Sequence, residues 1–226
     1  MDKSKIYIVI AAYNEESSIE TVVKRLRKAG YTQIVIVDDG SKDKTYEIIK
    51  KLKVHALKHV INRGQGAALK TGIDYALLKN AELIITFDAD GQHDEKEIKD
   101  MVQPILKNQA DITIGSRFIG KAINMPKSRK LALKLGVLVL KIMYGVELTD
   151  SQNGFRALSR KAAKKIEIKS DRMEHAGEII GEIKKKNLRF KEVPVTIRYT
   201  DYSQAHSSQS GAIALGLRMV FRKLIK

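Results

Sequence analysis

Short apolar runs alternate with amphipathic stretches along the first 120 residues of the chain. Runs rich in Ile and Val predict strands at 6–12, 33–38, 54–60, 83–88 and 111–115. Between them, apolar positions recurring every three or four residues predict helices near 16–29, 43–52, 66–79 and 95–107. Strands and helices in strict alternation describe an α/β fold with a mostly parallel central sheet and helices on both faces. Ligands of such sheets bind beyond the carboxyl ends of the strands. Three polar clusters fall there: Tyr13-Asn14-Glu15-Glu16, Asp38-Asp39-Gly40-Ser41 and Asp88-Ala89-Asp90-Gly91.

The last cluster carries the sharpest chemistry. Strand side chains alternate with period two, so Asp88 and Asp90 at the strand tip share one face and Ala89 takes the other. Two hard oxygen donors on one side suit Mg²⁺ or Mn²⁺, which keeps positions for water and substrate phosphates. Gly91 lets the chain turn away, leaving Gln92 and His93 close by. In the second cluster, Asp38 or Asp39 can accept hydrogen bonds from a nucleobase or ribose, beside the aromatic face of Tyr13. Ser41-Lys42-Asp43 reads as a helix N-cap. Asn62-Arg63-Gly64-Gln65-Gly66-Ala67-Ala68 opens a helix with small residues that let a ligand approach the backbone. It lacks the Gly-Lys-Ser/Thr ending of a Walker loop. His55, His59 and His175 read as surface or packing residues, and the histidine spacing fits no zinc site.

Composition narrows the setting. With 226 residues, 43% of them hydrophobic and 30% charged, the chain is globular and long enough for one domain with a sizeable core. It has no cysteine, hence no disulfide or thiolate metal site. The net charge of +16 is uneven: residues 1–120 carry 19 Lys and Arg against 17 Asp and Glu, and residues 121–226 carry 23 against 9. Such a second half attracts polyanions, whether nucleic acid, anionic headgroups or a phosphorylated substrate. Aromatics at 6% with no stacking platform argue against nucleic acid. Two apolar stretches studded with Lys and Arg, 131–143 and 212–226, read as amphipathic helices lying in a membrane interface. Neither approaches the roughly 20 apolar residues of a spanning helix. The apolar stretch at 6–12 is too short for a signal peptide. The expected location is the cytoplasmic face of a membrane, held peripherally.

Read together, Ile8 to Glu16, Val37 to Thr45, Asn62 to Ala68 and Asp88-Ala89-Asp90-Gly91-Gln92-His93 resemble the inverting glycosyltransferases of family 2. Gly115-Ser116-Arg117-Phe118, Thr149 to Arg156, and Glu192-Val193-Pro194-Val195 with Tyr202-Ser203 resemble its polyprenyl-phosphate branch, the dolichol-phosphate mannose and polyprenyl-phosphate glucose synthases. The resemblance implies one GT-A type domain over 1–226, with a nucleotide-sugar half at 1–120 and an acceptor and membrane half at 121–226. It implies that Ala12, Tyr13, Glu15, Asp39, Gly66, Asp88, Ala89 and Arg198 line the nucleotide sugar. Asp88, Asp90 and Gln92 would meet Mg²⁺ or Mn²⁺ and the diphosphate. Asp90, Asp150, Arg117, Arg129 and Arg156 would form the catalytic set, the arginines as phosphate contacts and Asp150 orienting or deprotonating the acceptor. The implied partners are GDP-mannose or UDP-glucose and a dolichyl or other polyprenyl phosphate.

The chain departs from that pattern in places. Ala12 stands where Pro is usual, Gln65 where Lys is common, Leu133 where Ser is common, and Gln204 where a cation is expected, with Arg198 or His206 as replacements. Other readings are a transferase of this fold with a non-lipid acceptor, a nucleotidyltransferase, and a phosphohydrolase using Asp88 as nucleophile. The last normally carries its Asp-x-Asp after the first strand, and here it follows the fourth.

Overall fold

A computed structural model describes residues 2–199. The stretch expected at 212–226, and the positions Tyr202, Ser203, Gln204 and His206, lie outside the described residues. Seven strands form one sheet: β1 (Ile6–Ala12), β2 (Ile34–Asp38), β3 (His55–Lys58), β4 (Leu83–Thr86), β5 (Ile112–Ile123), β6 (Arg156–Ser159) and β7 (Phe190–Arg198). Their order is β3-β2-β1-β4-β6-β5-β7. All neighbours pair in parallel except β6, which runs against both β4 and β5. The expected α/β sheet is therefore present, with one strand reversed.

Every stretch expected to be helical in the first half forms a helix: α1 (Ile19–Lys28), α2 (Thr45–Lys51), α3 (Gln65–Leu78) and α4 (Ile98–Leu106). Beyond them come α5 (Lys127–Tyr144), α6 (Arg160–Lys165) and α7 (His175–Lys185). The Ile and Val side chains of β1 and β2 alternate between two apolar layers. Ile8, Ile10, Ile34 and Ile36 meet α1 and α4 residues on one face, while Val9 and Val35 meet Leu69, Ile73 and Ile180 on the other. α3 lies close to the sheet through a face of Gly66, Ala67, Ala68, Gly72 and Ala76.

Two expectations about strand length need correction. β4 ends at Thr86, and Ala89-Asp90 already form a turn. The two-residue alternation thus does not set the geometry of Asp88 and Asp90; the loop does. β5 runs well past 115 because, after a register shift between Ser116 and Lys121, it resumes pairing with β7.

The reversed β6 has a topological consequence. Arg156 at its start pairs with Thr86 of β4 and Ile114 of β5, so the loop that precedes it emerges at the carboxyl edge of both. On the α3 side of that edge, His175 at the start of α7 is 2% exposed. Burial, then the nearby Arg156 charge, push its pKa down to about 4. An unfolded histidine takes up a proton near pH 6.5, so the unfolded chain binds more protons between pH 6.5 and 4, and stability falls as pH falls through that window. His175 should therefore contribute a loss of about 2 kcal/mol on acidification from pH 7 to 4.5, read as the difference between the urea-midpoint profiles of wild type and His175→Gln, since the raised Asp90 carboxyl acts in the opposite direction in both proteins. An unchanged slope in the variant would remove His175 as the cause.

Candidate active site

The loops after β1 and β2 interlock. Asn14 N donates to Ser41 Oγ at 3.0 Å, Lys42 N to Asn14 Oδ1 at 2.9 Å, and Glu15 N to Thr45 Oγ1 at 2.7 Å. Within the Ser41-Lys42-Asp43 segment expected to cap α2, Asp43 Oδ1 accepts from Thr45 N at 3.0 Å. Tyr13, 40% exposed, stands out from this platform, and Ala12 is buried beneath it with its carbonyl accepting from Asp39 N at 2.8 Å.

Asp39 is only 3% exposed, and its carboxylate gathers the next loop. It accepts from Arg63 N at 3.1 Å, from Gly64 N at 2.6 Å and from His59 Nδ1 at 2.7 Å, while Thr71 Oγ1 lies 3.0 Å from His59 Nε2. His59 thus does more than fill space; it ties Asp39 to Thr71 of α3. Asp38 is fully buried on the other side of β2.

The opening of α3 departs from its expected use. A Cβ on Gly66 would stand 2.1 Å from Ser170 O and 2.8 Å from His175 Cβ, and Ala67 N donates to Asp171 O at 3.0 Å. The close approach that small residues permit is made by the chain's own 170–175 segment, so Gly66 packs against protein rather than lying open to a ligand.

Asp88 sits at the meeting point of three segments. Its Oδ2 lies 2.8 Å from His93 Nε2, which donates in the tautomer protonated there, and its Oδ1 accepts from Gln65 Nε2 at 3.2 Å. A Cβ on Gly154 would fall 2.5 Å from both carboxylate oxygens. His93 is 3% exposed and wedged between the Phe87 and Phe155 rings, with centroids 5.2 and 5.1 Å away. Burial alone would raise the Asp88 pKa, but the His93 hydrogen bond and the charges of His93 and Arg156 hold it below the usual value. Asp90 moves the other way, raised by burial and by the Asp88 charge. Its Oδ1 accepts from Gln92 N at 3.0 Å, and the Gln92 carbonyl accepts from Arg198 N at 3.2 Å, joining this turn to the end of β7. Ala89, 4% exposed, packs into the apolar layer below. Gln65, which stands where Lys is common, is the residue that makes this bond to the acid.

A second cluster lies along β5. Arg117, 6% exposed, donates from Nε and from its backbone N to Asp150 Oδ2 at 2.6 and 3.1 Å, from Nη2 to Gln152 O at 3.2 Å, and from Nη1 to the Tyr199 hydroxyl at 2.5 Å. Asp150, 1% exposed, is occupied by these bonds and by Gln152 N at 3.3 Å. It is placed to orient Arg117 rather than to stand open as a base. Glu192 fixes the same loop, accepting from Thr149 N at 2.9 Å and from Asp150 N at 3.2 Å. Arg129, in the first turn of α5, stands 5.8 Å from the centroid of the Tyr199 ring. Arg156 is 1% exposed and enclosed in the sheet, its pKa pushed down to about 10 by burial. It acts on the site as a buried charge facing Asp88 and Asp150, not as an open phosphate contact. His59, Glu192 and Tyr199 were not singled out as site residues from the sequence; each works through a partner distant along the chain.

The donor set at Asp88 and Asp90 fits a hard divalent cation. Both offer carboxylate oxygens, each retains lone pairs beyond its hydrogen bonds, and a nearby cation would favour the ionised Asp90 that burial first and the Asp88 charge second disfavour. Among the described residues no three Asp, Glu, His or Cys side chains form a metal cage, and a cation held by Asp88 and Asp90 would take its remaining oxygens from water or a ligand.

A family model described as glycosyl transferase family 2 matches residues 7–167. The UDP-N-acetylglucosamine–dolichyl-phosphate N-acetylglucosaminyltransferase of Methanococcus voltae is 37% identical, with 97% of this chain and 95% of that protein covered. The undecaprenyl-phosphate mannosyltransferase of Micrococcus luteus is 29% identical over 92% of this chain and 89% of its own. Among solved structures, glucosyl-3-phosphoglycerate synthase from Mycobacterium tuberculosis, in complex with Mn²⁺ and UDP-glucose, superposes with a TM-score of 0.68 at 17% identity, covering 94% of this chain and 78% of that one. At that identity the likeness bears on the fold alone, which is GT-A. With the model spanning most of the chain and a close relative along nearly its whole length, this protein belongs to glycosyl transferase family 2 and is a glycosyltransferase.

Proposed function

We propose that the enzyme moves a hexosyl group from a nucleotide sugar to a polyprenyl phosphate such as dolichyl phosphate, with inversion, on the cytoplasmic face of a membrane. The observation that carries this reading is the 149–155 loop. It meets the acidic pair through Gly154 against Asp88, and the cationic cluster through Asp150 and Gln152 on Arg117. A seat for a metal-bound diphosphate and a seat for a second anion thereby adjoin. The names of the two relatives support lipid phosphates as acceptors, and they differ in sugar, so GDP-mannose, UDP-glucose and UDP-N-acetylglucosamine are the donors to compare.

The chemistry follows from charge. Breaking the anomeric C–O bond builds positive charge on the sugar and negative charge on the departing nucleoside diphosphate. Mg²⁺ or Mn²⁺, held by Asp88 and Asp90 with Gln92 beside them, would supply electrostatic stabilisation to that diphosphate. His93 and Gln65 fix the orientation of Asp88, and Tyr13, Glu15 and Asp39 lie on the nucleotide side of the site. Arg117 and Arg129 stabilise the acceptor phosphate, which is already anionic near neutral pH and so needs positioning more than deprotonation.

The acceptor reading also gives α5 a task. Leu131, Leu135, Leu138 and Ile142 are 61, 44, 53 and 75% exposed and form one stripe along the helix, with Lys127, Lys134 and Lys141 on its flank. This face suits an interfacial helix on anionic lipid, and among the described residues no helix is long and apolar enough to cross a membrane.

Label from a radioactive nucleotide sugar should enter an organic-extractable product only with a short polyprenyl phosphate and Mn²⁺ or Mg²⁺ present. Free sugar alone would favour a hydrolase, and label on a water-soluble acceptor would favour a non-lipid substrate. Asp90→Asn should lower transfer by at least about a hundredfold with little change in thermal midpoint; unchanged turnover would sink the metal assignment. Leu138→Glu with Ile142→Glu should reduce sedimentation with anionic vesicles several-fold while donor binding stays constant, and equal sedimentation would remove α5 from the membrane contact.

A further inference from the structure

We infer that Tyr199 is a positioning residue that holds Arg117 and Arg129 as a paired seat for the anionic headgroup of the acceptor, an inference that rests on the acceptor reading above. Tyr199 follows β7 directly and is 4% exposed. Its backbone N donates to Ile123 O at 3.0 Å, which pins it against the far end of β5. From that anchored position one side chain serves two guanidinium groups in different ways. The hydroxyl oxygen accepts from Arg117 Nη1 at 2.5 Å, and the ring stands 5.8 Å from the Arg129 guanidinium carbon.

The two arginines differ in what balances them. Arg117 has Asp150 as its counter-ion, and its bonds to Asp150, Tyr199 and Gln152 engage Nε, Nη1 and Nη2 together. Those contacts fix the guanidinium plane while leaving one N–H on each Nη for a further acceptor. Among the described residues Arg129 has no ion pair, and its buried Nε has no hydrogen-bond partner. Two cations around one phenol ring repel each other, and only one is neutralised. The imbalance is that of a seat for an anion, and a phosphate with several acceptor oxygens satisfies both donors at once.

Tyrosine is the side chain this geometry requires. A phenylalanine would keep the ring under Arg129 and leave Arg117 Nη1 without its partner; an aliphatic residue would lose both contacts. The hydroxyl therefore sets where Arg117 points, and the ring sets how far Arg129 stands from it.

The test uses the full chain with a short polyprenyl phosphate as acceptor probe and the unphosphorylated polyprenol as control. Tyr199→Phe should raise the KM for the polyprenyl phosphate about tenfold, the loss of one hydrogen bond to a charged group. The kcat at saturating acceptor, and the calorimetric Kd for the nucleotide sugar, should stay within about twofold, a split that general loosening of the fold would not produce. In a double-mutant cycle, Tyr199→Phe should add little to the KM already raised by Arg117→Lys, because the hydroxyl acts through that arginine. Calorimetry of the same probe with wild type separates the possible failures. Wild type that does not distinguish polyprenyl phosphate from polyprenol overturns the acceptor reading and the seat with it. Wild type that binds the phosphate, with Tyr199→Phe binding equally well or with fully additive effects in the cycle, overturns the role of Tyr199 alone.

Discussion

A guanidinium walled into the middle of a β-sheet is tolerated only where opposite charge lies close by, and Arg156 is in that position, 1% exposed between β4 and β5. The charges of Asp88 and Asp150 favour its ionised form, while its Nε and Nη1 are buried without a hydrogen-bond partner among the described residues. The three charges belong to the turn after β4, the reversed strand β6 and the loop that leads into it. Removing either acid would leave the buried guanidinium less compensated, a costlier change than the loss of an exposed ion pair. The acidic and cationic parts of the site therefore depend on one electrostatic arrangement inside the sheet.

Around that centre, the side chains nearest the proposed chemistry are oriented by others behind them. His93, held between two phenylalanines, and Gln65 orient Asp88; His59 orients Asp39; Asp150 and Glu192 orient Arg117 through their shared loop. Such support limits the motion of charged groups before substrate arrives, which is how preorganised electrostatics contributes to catalysis. It also explains why several acids and arginines of the site are more buried than residues that simply wait for a ligand.

Family membership and the fold leave donor choice open for a physical reason. The electrostatic problem, a departing diphosphate next to an incoming phosphate, is common to many sugar transfers. Discrimination between mannose, glucose and N-acetylglucosamine turns on a few hydrogen bonds to hydroxyl and amide groups at the sugar ring. The interlocked 13–16 and 41–45 loops, and the meeting of the 88–91 turn with the 149–155 loop, are the segments of the proposed site that would carry such bonds.

The sequence by itself determined the α/β architecture, the positions of the first four strands and helices, and the polar clusters at the strand ends. These rest on local signals, namely hydrophobic periodicity and short motifs whose residues are neighbours in the chain. The family motifs likewise named Asp88, Asp90, Arg117 and Asp150 without showing how they meet. Only the tertiary structure decided that β4 stops at Thr86 and that Gly66 serves packing against 170–175. It alone showed that β6 inserts in reverse to bring Gly154 to Asp88, and that Tyr199 lies between Arg117 and Arg129. Each of these joins residues tens of positions apart, and the four residues of β6 carry no periodic pattern to announce the strand. Strand order and buried charge pairing are properties of contacts across the sheet, and a reading along the chain contains no local signal for them.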